Sequence, residues 1–320
     1  MMGAHPRCLR RSFVLAVLLG GLAVCLAAAA WAEPVDINVM SFNIRYSYGK
    51  PQEEASENDW TDPEHPRRER AIRVIRESLP DILGVQEARH LQIQDLQSAL
   101  REFDFYGIGR DDGKTEGEYS GIFYLKDRFR ELDAGSFWLS ATPEKPGTTF
   151  YTARDAVPRI ASWVRLADNK SGREIFVLNM HWDHISVPAR EQSARLVRKR
   201  LAELAEGLPA IVMGDLNAPE DSKAVTELVG THGAAGRRLL DSFRALHPER
   251  TREESTFSAW SGRTAGSRID FILHTDEFTP TAASIVRSSY DGHWPSDHYP
   301  VAATLRLDTR DEHRYPDPSR

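Results

Sequence analysis

Cysteine is nearly absent from this 320-residue sequence, because its two copies, Cys8 and Cys25, both lie within the first 32 residues. Residues 33–320 therefore have no means of forming a disulfide, and their folding depends on a packed core. The sequence also lacks internal repeats, low-complexity linkers and breaks in composition that would divide it. We predict a single domain over residues 33–320, with a short frayed tail at its carboxyl end.

Basic tracts are missing as well. The chain has 41 Lys and Arg residues against 47 Asp and Glu residues, a formal charge of −6, which becomes −9 without the three arginines of residues 1–32. Binding to a phosphate backbone needs a basic surface, so this balance does not favour nucleic acid as a partner. A bound divalent cation could still supply the positive field that cleavage of a phosphate ester requires.

Long hydrophobic runs are confined to Phe13–Ala30. Arginines precede this run, and Ala30-Trp31-Ala32 at its end fits a signal-peptidase site, which predicts a signal peptide over residues 1–32. We expect export to the periplasm or the extracellular space, with no stable membrane span after cleavage. An uncleaved anchor is the alternative. The pair Arg10-Arg11 also resembles a twin-arginine signal, and the ordinary secretory route is comparable.

The segment Ile211–Pro219, with the sequence IVMGDLNAP, is the most informative stretch of the chain. An apolar run of strand length ends in Gly214, and Asp215 and Asn217 follow. Alternate residues of an extended segment point the same way, so these two side chains project together from the end of a strand. A buried strand that ends in an acid and an amide is typical of a polar site on a rigid element. The alternative is an ordinary Asp/Asn turn.

Short apolar runs and helical spacings alternate along the rest of the chain, which predicts an α/β or α+β layered sandwich. The predicted helices are Arg67–Leu79, 91–100, Pro188–Glu206 and Ser222–Val229. The predicted strands, besides the one that ends at Gly214, are Asp36–Ile44, Ile82–Val85, Phe103–Ile108, Gly121–Leu125, Phe129–Leu139, Ile160–Leu166, Glu174–Asn179, Ser255–Ser258, Arg268–Leu273, Ala282–Arg287 and Val301–Leu307.

Polar side chains recur where these strands end. They are Asn43, Glu87, His181, Asp215 with Asn217, Asp270, and Asp297 with His298 just before the last strand. Each alone has a structural explanation: Glu87 could cap a helix, His181 could be a core histidine, and Asp270 could pair with Arg268. Their repetition favours one shared site, because open sheets gather ligands at the carboxyl ends of strands.

These residue types fit metal-assisted hydrolysis of a phosphate ester. Hard cations such as Mg²⁺ take carboxylate and amide oxygens, which Glu87, Asp297 and Asn43 provide. Asp215 can hold and deprotonate a water molecule, while histidines stabilise the phosphoryl oxygens.

A histidine in such a role needs a carboxylate behind it, which fixes its tautomer and its charge. Asp270 behind His298 and Glu118 behind His181 are the available partners.

Seven motifs in order resemble the endonuclease/exonuclease/phosphatase superfamily, the deoxyribonuclease I-like metal hydrolases. They are SFNIRY, GVQEA, GRDDG with GEYSGIFY, NMHWDH, GDLNAP, SRIDFIL and SDHYPVAATL, and they span Asp36–Leu307. The resemblance implies a four-layer αββα sandwich of two packed mixed β-sheets flanked by helices, with the site at one edge of the sheets.

The resemblance also implies roles for individual residues. Glu87 would be the principal metal ligand, with Asn43 and Asp297 contributing, and the ion would be Mg²⁺, with Mn²⁺ or Ca²⁺ as substitutes. Asp215 would position or deprotonate the attacking water, and Asn217 would orient that water and the phosphate.

The remaining roles concern the two histidines. His298, paired with Asp270, would bind the phosphoryl group. His181 would be a second phosphate-side histidine or the general acid, with Glu118 as its partner.

The GRDDG loop, the segment Phe137–Ser140 and the HWDH motif resemble an exported bacterial branch of the superfamily. Arg110 and Arg159 are candidates for contact with the substrate or, alternatively, members of ordinary ion pairs. Asp183 and His184 either extend the site or fix the loop before the long helix.

We therefore expect a secreted, monomeric, divalent-metal-dependent hydrolase that acts on a phosphodiester or phosphomonoester. Substrates would be small molecules, lipid headgroups or sugar phosphoesters, a preference suggested by Trp138, Trp182 and Trp294 beside the motifs. Alternatives are a nuclease of the same superfamily, a non-catalytic binding protein on the same fold, and a glycosidase that uses Glu87 and Asp215 as its acid and base.

Overall fold

Two six-stranded β-sheets form the centre of the fold in a computed structural model that describes residues 34–49, 58–62, 64, 66–230 and 237–307. The predicted signal peptide and the predicted carboxyl-terminal tail lie outside these residues. The strands are β1 Val35–Asn43, β2 Ile82–Ala88, β3 Phe103–Tyr106, β4 Tyr119–Leu125, β5 Phe129–Trp138, β6 Ile160–Asp168, β7 Glu174–His181, β8 Ala210–Asp215, β9 Leu240–Asp241, β10 Asp270–His274, β11 Phe278–Ile285 and β12 Val301–Leu307. The helices are α1 Arg67–Ser78, α2 His90–Ala99, α3 Val187–Leu204, α4 Lys223–Val229 and α5 Ser242–Leu246.

Each sheet contains one parallel pair of strands at its centre. Sheet A has the order β11-β12-β1-β2-β4-β3, and its parallel pair is β1 with β2. Sheet B has the order β5-β6-β7-β8-β10-β9, and its parallel pair is β7 with β8. Parallel neighbours need a crossover connection, which includes α1 in the first pair and α3 in the second. The two crossovers bring four carboxyl ends of strands to one edge of the molecule.

Three apolar clusters separate four layers. Between the sheets, side chains such as Ile37 of β1 and Val177 of β7 belong to one buried cluster. On the outer face of sheet A, α1 and α2 contribute Val74 and Leu96 to a second cluster. On the outer face of sheet B, α3 contributes Val197 to the third, together with residues of α4. The predicted αββα sandwich is confirmed, and both sheets are buried on both faces, which explains their continuous apolar runs.

The structure changes the prediction in two places. Ser255–Ser258 is not a strand, because this segment makes only an isolated bridge from Phe257 to His298. Its side chains instead bond to other backbone groups: the Thr256 hydroxyl accepts from Ile269 N, 3.0 Å away, and the Ser258 hydroxyl donates to Asp297 O. The short elements β9 and α5 were not predicted, since five residues of helix contain too few apolar repeats to detect.

The helices show why the chain folds locally as it does. The Ser186 hydroxyl accepts from Ala189 N at the start of α3, and Pro188 lies in the first turn. Asp241 caps α5 by accepting from Phe243 N and Arg244 N. None of the helices in the described ranges has both the length and the apolar character needed to cross a bilayer.

Candidate active site

The carboxyl ends of the two parallel pairs face each other across the sandwich. In sheet B, His181 lies opposite Asp215 in the register of β7 and β8, and Asp270 of the antiparallel β10 also lies opposite Asp215. From sheet A, the Asn43 amide nitrogen donates to Glu87 Oε1 at 2.9 Å and to Asp215 Oδ2 at 3.0 Å. Asn43 therefore connects the two sheets, and residues far apart in sequence share one site.

The backbone at these strand ends is strained. Arg45, Glu87 and Asn217 all have positive φ angles, of 57°, 63° and 47°. Each such conformation costs a non-glycine residue about 1–3 kcal/mol, and it persists only where its surroundings hold it. Here the surroundings are the site itself, since Arg45 N donates to Asn43 Oδ1 and Asn217 N donates to Asp215 Oδ1. The strain fixes the directions in which these side chains point.

His298 and Asp270 form the predicted pair. His298 Nδ1 lies 3.0 Å from Asp270 Oδ2, and its Nε2 lies 3.8 Å from Asp215 Oδ2. Burial alone would lower the pKa of His298, but Asp270 and Asp215 outweigh it and hold this pKa well above its usual value. His298 is therefore a buried cation, suited to contact with an anionic oxygen.

Asp215 is a carboxylate with an unusual affinity for protons. Burial, together with the neighbouring charge of Asp270, raises the pKa of Asp215 to about 7. A general base acts best when its pKa lies near the working pH. Asp215 can accordingly both accept a proton from water and release it again near neutrality.

His181 has a different electrical character from His298. Asn217 Nδ2 lies 2.9 Å from His181 Nε2, and the Arg159 guanidinium lies 3.0 Å from the same ring nitrogen. Burial and the positive charge of Arg159 lower the pKa of His181 well below its usual value. One histidine of the site is thus neutral and the other is cationic.

The predicted pairing of Glu118 with His181 is wrong. The Glu118 carboxylate binds both terminal nitrogens of Arg110, at 2.6 Å and 2.9 Å. Burial raises the pKa of Glu118 despite this partner. A guanidinium stabilises a buried carboxylate through a bidentate pair of hydrogen bonds. Arg110, rather than His181, is therefore the partner of Glu118. Arg110 thus forms an ion pair, and its contact with a substrate stays a prediction.

Arg159 is a buried cation of another kind. Its side chain contacts His181 and lies 2.7 Å from His184 Nδ1, while its Nε has no hydrogen-bond partner. Within the described part of the chain, no carboxylate comes within ion-pair distance of it. Burial, followed by repulsion from Arg110, lowers the pKa of Arg159. A buried guanidinium without a carboxylate is unstable in isolation, so this position favours an anionic ligand.

The predicted metal ligands Glu87 and Asp297 converge on one positive group. Arg45 Nη1 lies 3.8 Å from Glu87 Oε2 and 3.7 Å from Asp297 Oδ2. Burial raises the pKa of Asp297, whereas His298, Asn43 and Arg45 outweigh burial and lower the pKa of Glu87. Glu87 and Asp297 thus both attract the positive charge of Arg45. Two carboxylates that converge in this way also suit a divalent ion, so the residues present fit one.

The third predicted ligand, Asn43, directs its amide nitrogen at the carboxylates, and its oxygen accepts from Arg45 N. Two groups in the described residues bring three donor atoms within 4.8 Å of one another: Glu87 with His181 and Asp215, and Asp215 with Asp270 and His298. The second group is the hydrogen-bonded histidine–aspartate pair described above. An oxygen-rich site around Glu87 suits Mg²⁺ or Mn²⁺ by the chemistry of its donors.

Asp183 and His184 divide between the two predicted roles. Asp183 Oδ1 accepts from Ile185 N at 2.8 Å and from Ser186 N at 2.6 Å, so it fixes the loop before α3. His184 contacts Arg159 and extends the site.

Two of the three tryptophans beside the motifs are buried, which makes them unable to contact a substrate directly. Trp182 is fully buried and Trp138 is 4% exposed, so neither presents a ring to solvent. Trp294 is half-buried and packs edge-on against Tyr299, with ring centroids 5.4 Å apart.

Arg67, at the start of α1, is an organising residue that the sequence did not reveal. It is 1% exposed and donates to the backbone oxygens of Ile44, Asn58 and Pro295. It thereby ties the segment after Asn43 to the segment before Asp297. An arginine in a first helical turn has no sequence signal that would identify such a role.

Comparison with known proteins gives consistent results. A model of the Endonuclease/Exonuclease/phosphatase family matches residues 40–298. The crystal structure of an endonuclease/exonuclease/phosphatase from Bacteroides vulgatus is 33% identical, covers 86% of this chain and 100% of that one, and has a TM-score of 0.75. A Bacteroides thetaiotaomicron mannosyl-6-phosphatase is 32% identical, covers 84% of this chain and 99% of that one, and has a TM-score of 0.72.

A weaker match is to an uncharacterized protein of Acanthamoeba polyphaga mimivirus, 28% identical over 127 residues, which are 36% of this chain. The matched part spans 18% of the length of that viral protein.

Proposed function

Because the chain belongs to the endonuclease/exonuclease/phosphatase family, whose members are phosphoesterases and nucleases, we propose that it is a divalent-metal-dependent phosphoesterase. Its substrate is the phosphate ester of a small molecule, either a monoester or a diester. The relative described as a mannosyl-6-phosphatase supports a small phosphomonoester as the leading substrate. The acidic charge of the chain supports a small substrate over a nucleic acid.

One observation carries this proposal. A potential base, Asp215, a buried cationic histidine, His298, and an uncompensated buried guanidinium, Arg159, lie in one site with Glu87. Asn43 and Asn217 connect them through hydrogen bonds. Hydrolysis of a phosphate ester needs each of these functions: a base for water, positive groups for phosphoryl oxygens and a carboxylate for a cation.

The reaction proceeds by attack of water on phosphorus. Asp215 accepts a proton from the water, and Asn217 orients it. The water oxygen forms a new bond to phosphorus while the ester P–O bond breaks, and the departing alcohol oxygen takes a proton from solvent water, to which Asp215 later releases the proton that it accepted. The positive charges of His298 and Arg159 stabilise the phosphoryl oxygens. His181, which is neutral, contributes a hydrogen bond to the same group.

Glu87 and Asp297 would hold the divalent ion, which would polarise the phosphoryl oxygens when bound, and Asn43 would position the Glu87 carboxylate through its amide nitrogen.

The test is a panel of phosphomonoesters, phosphodiesters, single-stranded DNA and aryl glycosides, assayed with Mg²⁺ and with EDTA. The proposal requires hydrolysis of a small phosphoester that EDTA abolishes and Mg²⁺ restores. Faster cleavage of DNA would favour the nuclease. Cleavage of a glycoside that is insensitive to EDTA would favour the glycosidase, and failure to cleave any compound would favour the binding protein.

We also propose that the protein is exported and acts as a monomer outside the cytoplasm. The arginines and the apolar run of residues 1–32 support export. Mass spectrometry of the protein recovered from cell fractions tests this directly. Export predicts a mature protein that begins at Glu33, and an intact chain in the cytoplasm would contradict it.

A further inference from the structure

We propose that a cavity beside Glu87 is the subsite for the alcohol portion of the phosphoester, and that it binds one neutral sugar ring. The cavity has a volume of about 270 Å³ and is lined by residues 45–48 on one side and by Asn58, Asp59, Trp60 and Arg67 on the other. This inference rests on the proposed phosphoesterase function and extends it to a class of substrate.

Two residues that line the cavity also contact the carboxylates of the predicted metal site. Arg45, which lines the cavity, lies within 4 Å of both Glu87 and Asp297. Tyr46, the next lining residue, donates its backbone N–H to Glu87 Oε2 at 3.3 Å. A larger cavity of about 540 Å³ lies between α5 and β11 and includes none of the convergent residues. Position, rather than size, therefore identifies the subsite.

The geometry of the displacement at phosphorus also points to this cavity. Asp215 and Asn217 hold the attacking water from the side of sheet B. In an in-line displacement, the leaving oxygen lies opposite the attacking one. The opposite side of the site is formed by the ends of β1 and β2, and residues 45–48 continue directly from β1. The departing alcohol therefore leaves on the side where the cavity lies.

The lining suits a sugar. Tyr48 is 55% exposed; the Arg89 guanidinium lies 4.2 Å from its ring centroid, and Tyr46 meets it in a T-shaped contact with the ring centroids 5.6 Å apart. A fixed aromatic ring packs against the C–H face of a pyranose, since both surfaces are apolar. Asn58 and Asp59 bring an amide and a carboxylate, which form hydrogen bonds with hydroxyl groups.

The volume restricts the ligand further. Ligand sites are commonly about 300–1,000 Å³, so this cavity is at the small end and suits one ring. A nucleoside contributes a base as well as a ribose, and a lipid contributes long chains, so both need more space than a single ring.

The test compares three phosphomonoesters with Mg²⁺: mannose 6-phosphate, adenosine 5′-monophosphate and methyl phosphate, whose leaving alcohol is too small to fill the cavity. The variants are Tyr48→Ala, Tyr48→Phe, which retains the ring, and Leu246→Ala as a control on the distant helix α5. We expect Tyr48→Ala to raise KM for mannose 6-phosphate about tenfold more than for methyl phosphate. Tyr48→Phe should restore most of the loss, and Leu246→Ala should change neither substrate.

The outcomes separate the two levels of the proposal. If no phosphate ester is hydrolysed, the proposed function itself fails. If methyl phosphate is hydrolysed but Tyr48→Ala affects it as much as mannose 6-phosphate, the subsite is refuted and the phosphoesterase remains. A higher kcat/KM for adenosine 5′-monophosphate than for mannose 6-phosphate would also refute a subsite for one sugar ring.

Discussion

Two buried arginines illustrate opposite uses of a charge at the scale of single residues. Arg128 is 5% exposed and forms ion pairs with Asp81 at 2.7 Å and Asp168 at 3.3 Å. Arg159 is similarly buried, at 6% exposed, but its contacts are histidine nitrogens. The first charge has two carboxylates at ion-pair distance. The second is attracted by Glu118, Asp183 and Glu87 only from farther away, so a bound phosphate group would be its direct anionic partner.

We expect Arg159→Met to raise KM for the substrate about tenfold or more, because a hydrogen-bonded charge is lost from the phosphate site. The variant should unfold at the same or a higher temperature, since an uncompensated buried charge is removed. Arg128→Met is the matched control. It leaves two buried carboxylates without their partner, so it should lower the free energy of unfolding by about 3–5 kcal/mol and leave KM unchanged.

Steady-state kinetics and thermal melting of both variants check this contrast. An Arg159→Met protein that melts earlier but has an unchanged KM would show that Arg159 supports the fold rather than the substrate.

Asp215→Asn should reduce kcat by about 10²–10⁴-fold, because the base that accepts the proton from water is lost. The fold should remain at least as stable, since the substitution removes one of two neighbouring buried carboxylates, Asp215 and Asp270. The measurement is kcat together with the melting temperature. Retention of more than a small fraction of activity would exclude Asp215 as the base.

His274 gives a pH dependence that is separate from catalysis. Burial lowers the pKa of His274 in the folded protein below its usual 6.5, and its Nε2 has no hydrogen-bond partner. As the pH falls through 6.5, the unfolded chain binds a proton first, so stability decreases below that pH and is unaffected above it.

His274→Gln should therefore lose less stability than the wild type between about pH 7.5 and pH 5.5, by up to about 1.4 kcal/mol, because only about one pH unit of this interval lies below 6.5. Urea unfolding at both pH values measures this difference. Equal losses in the two proteins would show that His274 titrates normally.

At the scale of elements, the ends of strands carry the chemistry, and a glycine makes one of them possible. Gly214 has a φ of 144°, and a Cβ at this position would lie 1.9 Å from Met180 O in the neighbouring strand β7. The glycine thus lets β7 and β8 run side by side up to the point where His181 and Asp215 project together. The GDLN motif is a requirement of packing as well as of catalysis.

We expect Gly214→Ala to lower the free energy of unfolding by about 3 kcal/mol or more and to reduce kcat, because the strands must separate beside Asp215. Gly207→Ala is the matched control. Gly207 also has a positive φ, of 81°, but has nothing within 4 Å of the added Cβ, so the cost should be about 1 kcal/mol with kcat unchanged. Equal effects in the two variants would mean that only backbone strain matters, not the contact with β7.

The strands were predictable because each is a short apolar run that ends in a polar residue, as in Ile211–Asp215. The failures occurred where side chains replace regular pairing. Thr256 and Ser258 satisfy backbone groups with their hydroxyls, so an apparent strand is in fact a loop. The five-residue α5 is recognisable only from its cap, Asp241.

At the scale of the whole molecule, the sequence motifs located the site, but they did not determine which side chains form hydrogen-bonded pairs within it. Asp270 with His298 was predictable, because a histidine that binds phosphate needs a carboxylate behind it. Glu118 was assigned to His181 by the same logic, yet the fold places Arg110 closer. Choices between partners depend on three-dimensional distances, which no spacing in the sequence encodes.

The sandwich also explains why catalytic groups so distant in sequence act together. Each sheet contributes one parallel pair of strands, and Asn43 bonds across from Glu87 to Asp215 where the two pairs meet. Four elements of rigid structure therefore hold the water-activating side and the cation-binding side at a fixed separation, as hydrolysis requires.

The most direct test of the central claim is the dependence of phosphate release on Mg²⁺ concentration, measured for the wild type and for Glu87→Gln. If a cation bound at Glu87 activates the ester, the wild type will show saturable activity that EDTA abolishes. The Mg²⁺ concentration that gives the half-maximal rate will then be at least about tenfold higher for the variant than for the wild type. Activity that persists in EDTA, or an unchanged Mg²⁺ requirement in Glu87→Gln, would contradict the account.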